Sequence, residues 1–297
     1  MAKLIGEDVD GPARLRELLS RGEPVVAPGV YDALGARLVE EAGFGVVYMT
    51  GFGTTASLIG RPDVGLLTMS EMVGNARRID SAVELPVIAD ADTGYGNALN
   101  VIRTVREYET AGVAGIHIED QVAPKRCGHM EGKQVVPAET MVDKVRAAVQ
   151  ARRNPDFVLI ARTDARAVEG VDAAIERAHR YLDAGADALF VEALQSDEEI
   201  ERVAAEFAGV PLVFNWAEGG KTPPKDFDRL RQLGFRLILC PISTLLAATR
   251  AMREVLARIA ADGTPARVVA DLPGFGEFTD FIGLPEVNEL GKQFGAG

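Results

Sequence analysis

The sequence predicts a (β/α)8 barrel, and three observations lead there. Eight short runs rich in Val, Ile and Leu recur along the chain, stretches of helical spacing separate them, and the alternation fills about 250 of the 297 residues, the usual length of such a barrel. The runs are PVVAP (24–28), GVVYMTG (45–51), LPVIADAD (85–92), GIHIEDQ (115–121), FVLIARTD (157–164), ALFVEA (188–193), PLVFNW (211–216) and RLILCPIS (236–243). Each is almost continuously apolar, as strands are when helices cover both faces of a parallel sheet.

The intervening segments place apolar side chains at helical spacing: Leu34, Leu38 and Val39, then Val101, Val105 and Tyr108, then Ala174, Ala178, Tyr181 and Leu182. Four of the segments finish on glycine (EAGF, TAGV, DAGAD, QLGF), the residue that closes a helix in left-handed backbone. PAETMVDKV and PPKDFDRL carry the proline and acidic residues of helix starts. A doubly wound open sheet is the rival with the same alternation. No shift in composition suggests a linker, so one domain is expected over 1–297, its barrel about 20–260 and a helical tail from about 261. In that tail Phe275, Phe278, Phe281 and Ile282 call for burial, for instance on a partner subunit.

Composition narrows the function. With 47% hydrophobic residues the chain is not disordered, and its net charge of −12 argues against a nucleic-acid partner. An anionic substrate stays possible, because a pocket can oppose the global sign. No run approaches the roughly 20 apolar residues of a membrane span, and MAKLIGEDVDG lacks a signal-peptide core. Cys127 and Cys240 are too few for a disulfide framework, which points to a reducing, cytoplasmic setting.

A barrel builds its active site at the C-terminal ends of its strands. Those ends carry Tyr48 and Thr50, Asp90 and Asp92, Glu119 and Asp120, Arg162 and Asp164, Glu192, and Asn215. Rim salt bridges account for Asp120 and Asp164, but four or five acids crowded together repel one another. A divalent cation resolves this. Asp90 and Asp92, two residues apart, are expected on one face of their strand, and with Glu119 they offer the hard oxygens of Mg2+ or Mn2+. Zinc fits poorly, since Cys127-Gly128-His129 is a single C-x-H.

Gly51-Phe52-Gly53-Thr54-Thr55-Ala56 fits the dinucleotide pattern G-x-G-x-x-A, but Pro62 follows closely and no clean helix is expected to open on the glycines. The turn is read instead as backbone N–H groups that bind a carboxylate or oxyanion. In Pro124-Lys125-Arg126-Cys127-Gly128-His129 a cysteine stands beside two cations, which predicts a lowered pKa and a role as nucleophile or as general acid/base. His117 shares a strand face with Glu119 and is expected near the site, whereas His179 reads as structural.

The runs DADTGYGNALNV, GIHIEDQVAPKRCGH and FVLIARTDARAVEGVDAAIERA, in that order, resemble the isocitrate lyase/phosphoenolpyruvate mutase superfamily over roughly 20–260. The resemblance implies a (β/α)8 barrel, bound Mg2+, a small anionic carboxylate substrate, and a homotetramer that exchanges the last barrel helix. It implies Asp90 and Asp92 as metal-binding acids, with Asp63 and Glu119 holding metal waters. It implies Tyr48, Thr50, Gly51 and Phe52 as the substrate-binding turn, with Gly128, His129, Arg162, Glu192 and Asn215 as further substrate contacts. Cys127 matches the lyase cysteine that protonates the departing carbanion, and Lys125 to Lys133 the mobile gate. Tyr48, Glu119 or a metal-bound water is left as the base.

The stretch Asn215-Trp216-Ala217-Glu218-Gly219-Gly220-Lys221-Thr222-Pro223 departs from methylisocitrate lyases, as do Leu246 and Phe275 where those carry arginines. It is similar to the 2,3-dimethylmalate lyase, petal-death-protein and carboxyphosphonoenolpyruvate mutase branches. The expectation is therefore a carbon–carbon lyase cleaving a 2-alkylmalate by retro-aldol chemistry. Carboxyphosphonoenolpyruvate mutase is the alternative, followed by oxaloacetate hydrolase or decarboxylase and methylisocitrate lyase.

Overall fold

The computed structural model describes residues 4–5 and 9–295. Contacts within the chain divide it into two compact units, one reaching Thr244 and one beginning at Leu245. The sequence placed this change near 261. It comes earlier because the helix Ser243–Asp262, read as the last of the barrel, has no fully buried residue.

In the first unit α1 (Gly11–Ser20) precedes β1 (Val25–Val30), α2 (Ala33–Glu41), β2 (Val47–Met49), α3 (Gly51–Ile59), α4 (Met69–Asp80) and β3 (Val87–Asp90). There follow α5 (Ala98–Thr110), β4 (Gly115–Glu119), α6 (Ala138–Ala151), β5 (Val158–Thr163), α7 (Arg166–Glu169) and α8 (Val171–Asp183). The last part of the unit is β6 (Ala188–Val191), α9 (Asp197–Glu206), β7 (Leu212–Asn215), α10 (Phe227–Leu233) and β8 (Phe235–Cys240). All eight expected runs are strands, parallel and in sequential order, and β8 pairs with β1 to close the barrel. The second unit holds most of α11 (Ser243–Asp262) with α12 (Phe275–Phe281) and α13 (Leu284–Gln293). Among the described residues no helix is long and apolar enough to cross a membrane.

Local chemistry explains the helix ends. Asp10, Asp32, Thr50, Thr68, Asn97 and Ser196 each accept a backbone N–H in the first turn of the helix they precede. The four end glycines, Gly43, Gly112, Gly185 and Gly234, have φ of 83°, 96°, 103° and 90°. One helical reading needs correction. Val39 is buried, but Leu34 and Leu38 are exposed, so α2 turns a narrower apolar stripe inward than its leucines suggest.

Strand periodicity creates two cores. One set of alternate residues, with Met49, Ala89, Ile118, Leu159, Leu189 and Ile238 among them, packs outward under the helices. The other set, with Ala27, Ile88, Val158, Ile160, Phe190, Val213 and Leu237, fills the barrel. Leu15 and Leu19 of α1 join this inner cluster and close the N-terminal end of the barrel as a floor.

Candidate active site

The inward column of each strand is apolar near the floor and becomes polar at the C-terminal end. On β5 it reads Val158, Ile160, Arg162; on β6 it runs Ala188, Phe190 and then Glu192 just beyond; on β7 it is Val213, Asn215. β4 contributes His117 and Glu119 and β3 Ile88 and Asp90 by the same period of two. The guanidinium of Arg162 lies 4.9 Å over the Phe190 ring, where the apolar filling ends and the polar mouth begins.

A pocket of about 240 Å³ opens there. Tyr48, Thr50, Phe52, Asp63, Asp90, Arg162, Glu192 and Asn215 line it. Cys127, Gly128 and His129 of the loop 125–133 complete it, so most residues expected from the sequence meet here. Asp92, Glu119 and Gly51 are buried but do not line the pocket. Lys125, Met130, Ala217, Pro241 and Ile242 also face it.

Asp92 reaches the site by an unexpected route. β3 ends at Asp90, and Asp92 lies in a left-handed turn with φ of 48°, so strand alternation does not set its direction. Its N–H donates to Asp90 Oδ1 at 2.9 Å, and its Oδ1 meets Lys125 Nζ at 2.8 Å. Beneath the turn, the buried Lys144 of α6 donates to Thr93 O at 2.8 Å. Its place in the sequence, inside an ordinary amphipathic helix, gave no sign of this role.

The acids sort by environment. Burial raises Asp92, against the pull of Lys125, to about 6. Burial also pushes Glu119 well above the carboxylate range, and Arg162, 3.2 Å from Glu119 Oε2 and 2.9 Å from Asp164 Oδ2, does not offset it. Its Oε1 is buried with no hydrogen-bond partner. Burial penalises the charge of Asp164 too, yet Arg162 and Lys133 outweigh it and hold that carboxyl well below the usual range. Asp120 accepts from Thr163 Oγ1, Tyr181 Oη and the Asp164 N–H, the rim role foreseen for it.

Lys125 Nζ sits 2.6 Å from Asp63 Oδ2 as well as near Asp92, so an ammonium stands where hard oxygens gather. That stand-in cation and the orphaned Glu119 oxygen fit a site for a divalent ion. Among the described residues no three His, Cys, Asp or Glu side chains close on one point.

Three expectations change. Cys127 does not have a lowered pKa: burial raises its thiol, Asp63 and Glu192 add to this, and Lys125 is engaged with acids. Arg126 turns away from the pocket, its guanidinium donating to Glu131 O and its N–H to Gln121 Oε1. A helix does open on the glycines after β2, because Thr50 Oγ1 accepts the Gly53 N–H and caps α3. His117 is at the site as expected. Its Nε2 lies 2.9 Å from Tyr48 Oη, and burial lowers its pKa to about 4. His179 pairs with Glu206 on the surface, away from the pocket.

The chain is similar to known proteins in sequence and in fold. The sequence model of the phosphoenolpyruvate phosphomutase family matches residues 15–260. The chain is 48% identical to the 2,3-dimethylmalate lyase of Eubacterium barkeri, covering 96% of this chain and 98% of that one. It is 46% identical to the 2-methylisocitrate lyase of Aeropyrum pernix, covering 95% and 91%. Among solved structures, a 2,3-dimethylmalate lyase superposes with a TM-score of 0.92 at 41% identity over 98% of this chain and 97% of that one. An oxaloacetate acetylhydrolase bound to 3,3-difluorooxalacetate does so with 0.92 at 40% identity over 98% and 99%. A phosphonopyruvate hydrolase holding oxalate and Mg2+ scores 0.87 at 34% identity over 96% and 99%.

Proposed function

This chain belongs to the phosphoenolpyruvate phosphomutase family, within the isocitrate lyase/phosphoenolpyruvate mutase superfamily, and on that premise we propose that it is a Mg2+-dependent carbon–carbon lyase. Its substrate is a 2-hydroxy dicarboxylate of the 2-alkylmalate or 2,3-dimethylmalate type. The observation that carries the choice is the make-up of the pocket wall. Among the described residues Lys125 and Arg162 are the only Lys or Arg that line it, and Lys125 is engaged by Asp63 and Asp92. Phe52, Met130, Ala217, Pro241 and Ile242 supply an apolar side. A third carboxylate would meet apolar surface, which is costly, whereas an alkyl group is accommodated.

Asp90 and Asp92 would hold the ion, with Asp63 and Glu119 behind its waters. Mg2+ supplies, when bound, positive charge for the oxygen that becomes an oxyanion. Arg162 binds the retained carboxylate, and Asn215 and Glu192, linked at 3.2 Å, fix the far side of the substrate. The Thr50–Phe52 turn orients the substrate through backbone N–H groups.

Tyr48 lines the pocket while Glu119 does not, and its hydroxyl is held 2.9 Å from His117 Nε2. We therefore assign Tyr48 the hydrogen bond that orients the 2-hydroxyl, whose proton leaves to water in the pocket. The C2–C3 bond breaks, C2 becomes the carbonyl of a 2-keto acid such as pyruvate, and the electron pair moves onto C3 and its carboxylate. Cys127, a neutral thiol at neutral pH because burial raises it, delivers its proton to C3. The exposed Phe275, Leu284 and Val287 of the second unit support the expected homotetramer, and two free cysteines support a cytoplasmic setting.

The test is a panel of 2,3-dimethylmalate, 2-alkylmalates, oxaloacetate and methylisocitrate with Mg2+, read by 2-keto acid release. Turnover of an alkylmalate supports the reading. No release from any malate, with turnover of a phosphonate seen by phosphorus NMR or of oxaloacetate alone, overturns it.

A further inference from the structure

The loop 125–133 lines the pocket, and four residues that seat it, Lys133, Asp164, Gly220 and Lys221, have no part in the chemistry above. At its end Lys133 is buried, and its ammonium donates to Gly128 O and, at 2.7 Å, to Asp164 Oδ1. The other oxygen of the same carboxylate receives Arg162 Nε at 2.9 Å. One carboxylate thus joins the loop lysine to the pocket arginine. The approach is as close as atoms allow: a Cβ on Gly128 would collide with Glu192 Oε1 and stand 2.5 Å from Arg162 Nη2.

The turn after β7 grips the loop from the opposite side. The Lys221 N–H donates to His129 Nδ1 at 3.0 Å, and the Lys221 ammonium pairs with Glu131. With Nδ1 accepting, the neutral ring carries its proton on Nε2, which lies 3.1 Å from Glu192 Oε1. Gly220 makes this possible. A Cβ there would stand 2.7 Å from His129 Nδ1 and 2.8 Å from its Cε1, so any side chain displaces the ring. Stability alone is a weak reason for Lys133, since a buried ion pair gains little over apolar packing of the same volume.

We propose that Lys133 and the Gly220–Lys221 turn are positioning residues, a two-sided clasp that seats the loop 125–133 with Cys127 and His129 over the pocket, tied through Asp164 to Arg162. The clasp sets where the loop rests and which His129 nitrogen donates. It deepens the lyase reading and rests on it for the roles of Cys127 and Arg162, but its first test needs no turnover.

That test measures modification of Cys127 in the Mg2+-loaded protein by a maleimide too bulky to enter the pocket. Peptide mass mapping separates Cys127 from Cys240, which serves as the internal control. Lys133→Met raises the Cys127 rate about tenfold or more by populating the lifted loop, while Lys133→Arg, which keeps a cation on Asp164, restores part of the protection. Gly220→Ala gives an increase of about fivefold, and Mg2+ affinity stays within about twofold in every variant. On a turned-over alkylmalate, kcat in Lys133→Met falls about thirtyfold. A folded Lys133→Met protein with the wild-type Cys127 rate overturns the clasp. If that variant does not fold, Gly220→Ala decides, and wild-type rates of both modification and turnover reject the proposal. Should the substrate panel fail, the modification rates still decide the clasp, so the two failures are separable.

Discussion

The floor and the mouth of this barrel are made by the same eight strands, yet they obey opposite rules. At the floor, Leu15 and Leu19 seal an apolar cluster, and the polar part of α1 is satisfied outside it. Arg16 there donates to the carbonyls of Pro155, Asp156 and Phe157 and to Asp187. At the mouth, His117 Nδ1, Glu119 Oε1 and Asn215 Oδ1 are buried without hydrogen-bond partners. Unmet polar capacity of that kind destabilises a fold, and it persists where a ligand completes it. The floor therefore holds the barrel together, and the mouth carries an electrostatic cost on behalf of function.

Predictions that separate the two ends follow, largest effect first. Cys127→Ser lowers kcat for the active alkylmalate by about a thousandfold, the size of a lost general acid, with an unchanged unfolding midpoint. Activity near wild type would remove the cysteine from the chemistry. Leu15→Ala does the reverse: it costs about 3 kcal/mol in urea unfolding and leaves kcat unaltered under conditions where the protein is folded. A large loss of kcat in that folded variant would show that floor and mouth are not independent.

The third prediction concerns His117. Its pKa in the folded protein is about 4, below its ordinary value near 6.5, so between these values the unfolded chain binds the extra proton. Stability then rises with pH through this window, and up to about 3 kcal/mol is lost by pH 4. Urea unfolding of wild type and His117→Gln at pH 7, 5.5 and 4.5 should show this slope in the wild type and its loss in the variant. Equal slopes would mean that the buried imidazole is not the source.

The smallest effect has the opposite sign. Because burial raises Asp92, Asp92→Asn stabilises the metal-free protein by about 1–2 kcal/mol at pH 7.5 while Mg2+ binding by calorimetry is lost. A destabilised variant would show that Lys125 already compensates the carboxylate in full.

The fold was legible because a barrel repeats one instruction eight times, and short buried strands with glycine-ended helices cannot easily be read otherwise. The site was legible where that period extends, as at Tyr48, Asp90, Glu119, Arg162 and Asn215, whose inward direction follows from strand alternation. It was illegible where the chain leaves the strands. Asp92 is aimed by a left-handed turn, and the thiol of Cys127 is governed by burial and by acids from Asp63 and Glu192. Neither is visible in neighbouring residues. Lys133 and Asp164 are 31 positions apart, and a lysine in a polar loop carries no mark of being buried. The helix α1 was missed as the floor because its two core leucines lie in ten residues of otherwise ordinary surface sequence.

Lys125 and Lys133 bracket the covering loop, and each sinks an ammonium among carboxylates outside it: Asp63 and Asp92 at one end, Asp164 at the other. The segment between them is a strap buckled twice. Undoing a buckle leaves buried carboxylates without their lysine, Asp63 and Asp92 at one end and Asp164, still held by Arg162, at the other. Because breaking a buried pair costs up to about 3–5 kcal/mol, the strap rests fastened. A loop held in this way presents Cys127 and His129 in one position only, which is why a weaker buckle at Lys133 slows turnover instead of speeding it.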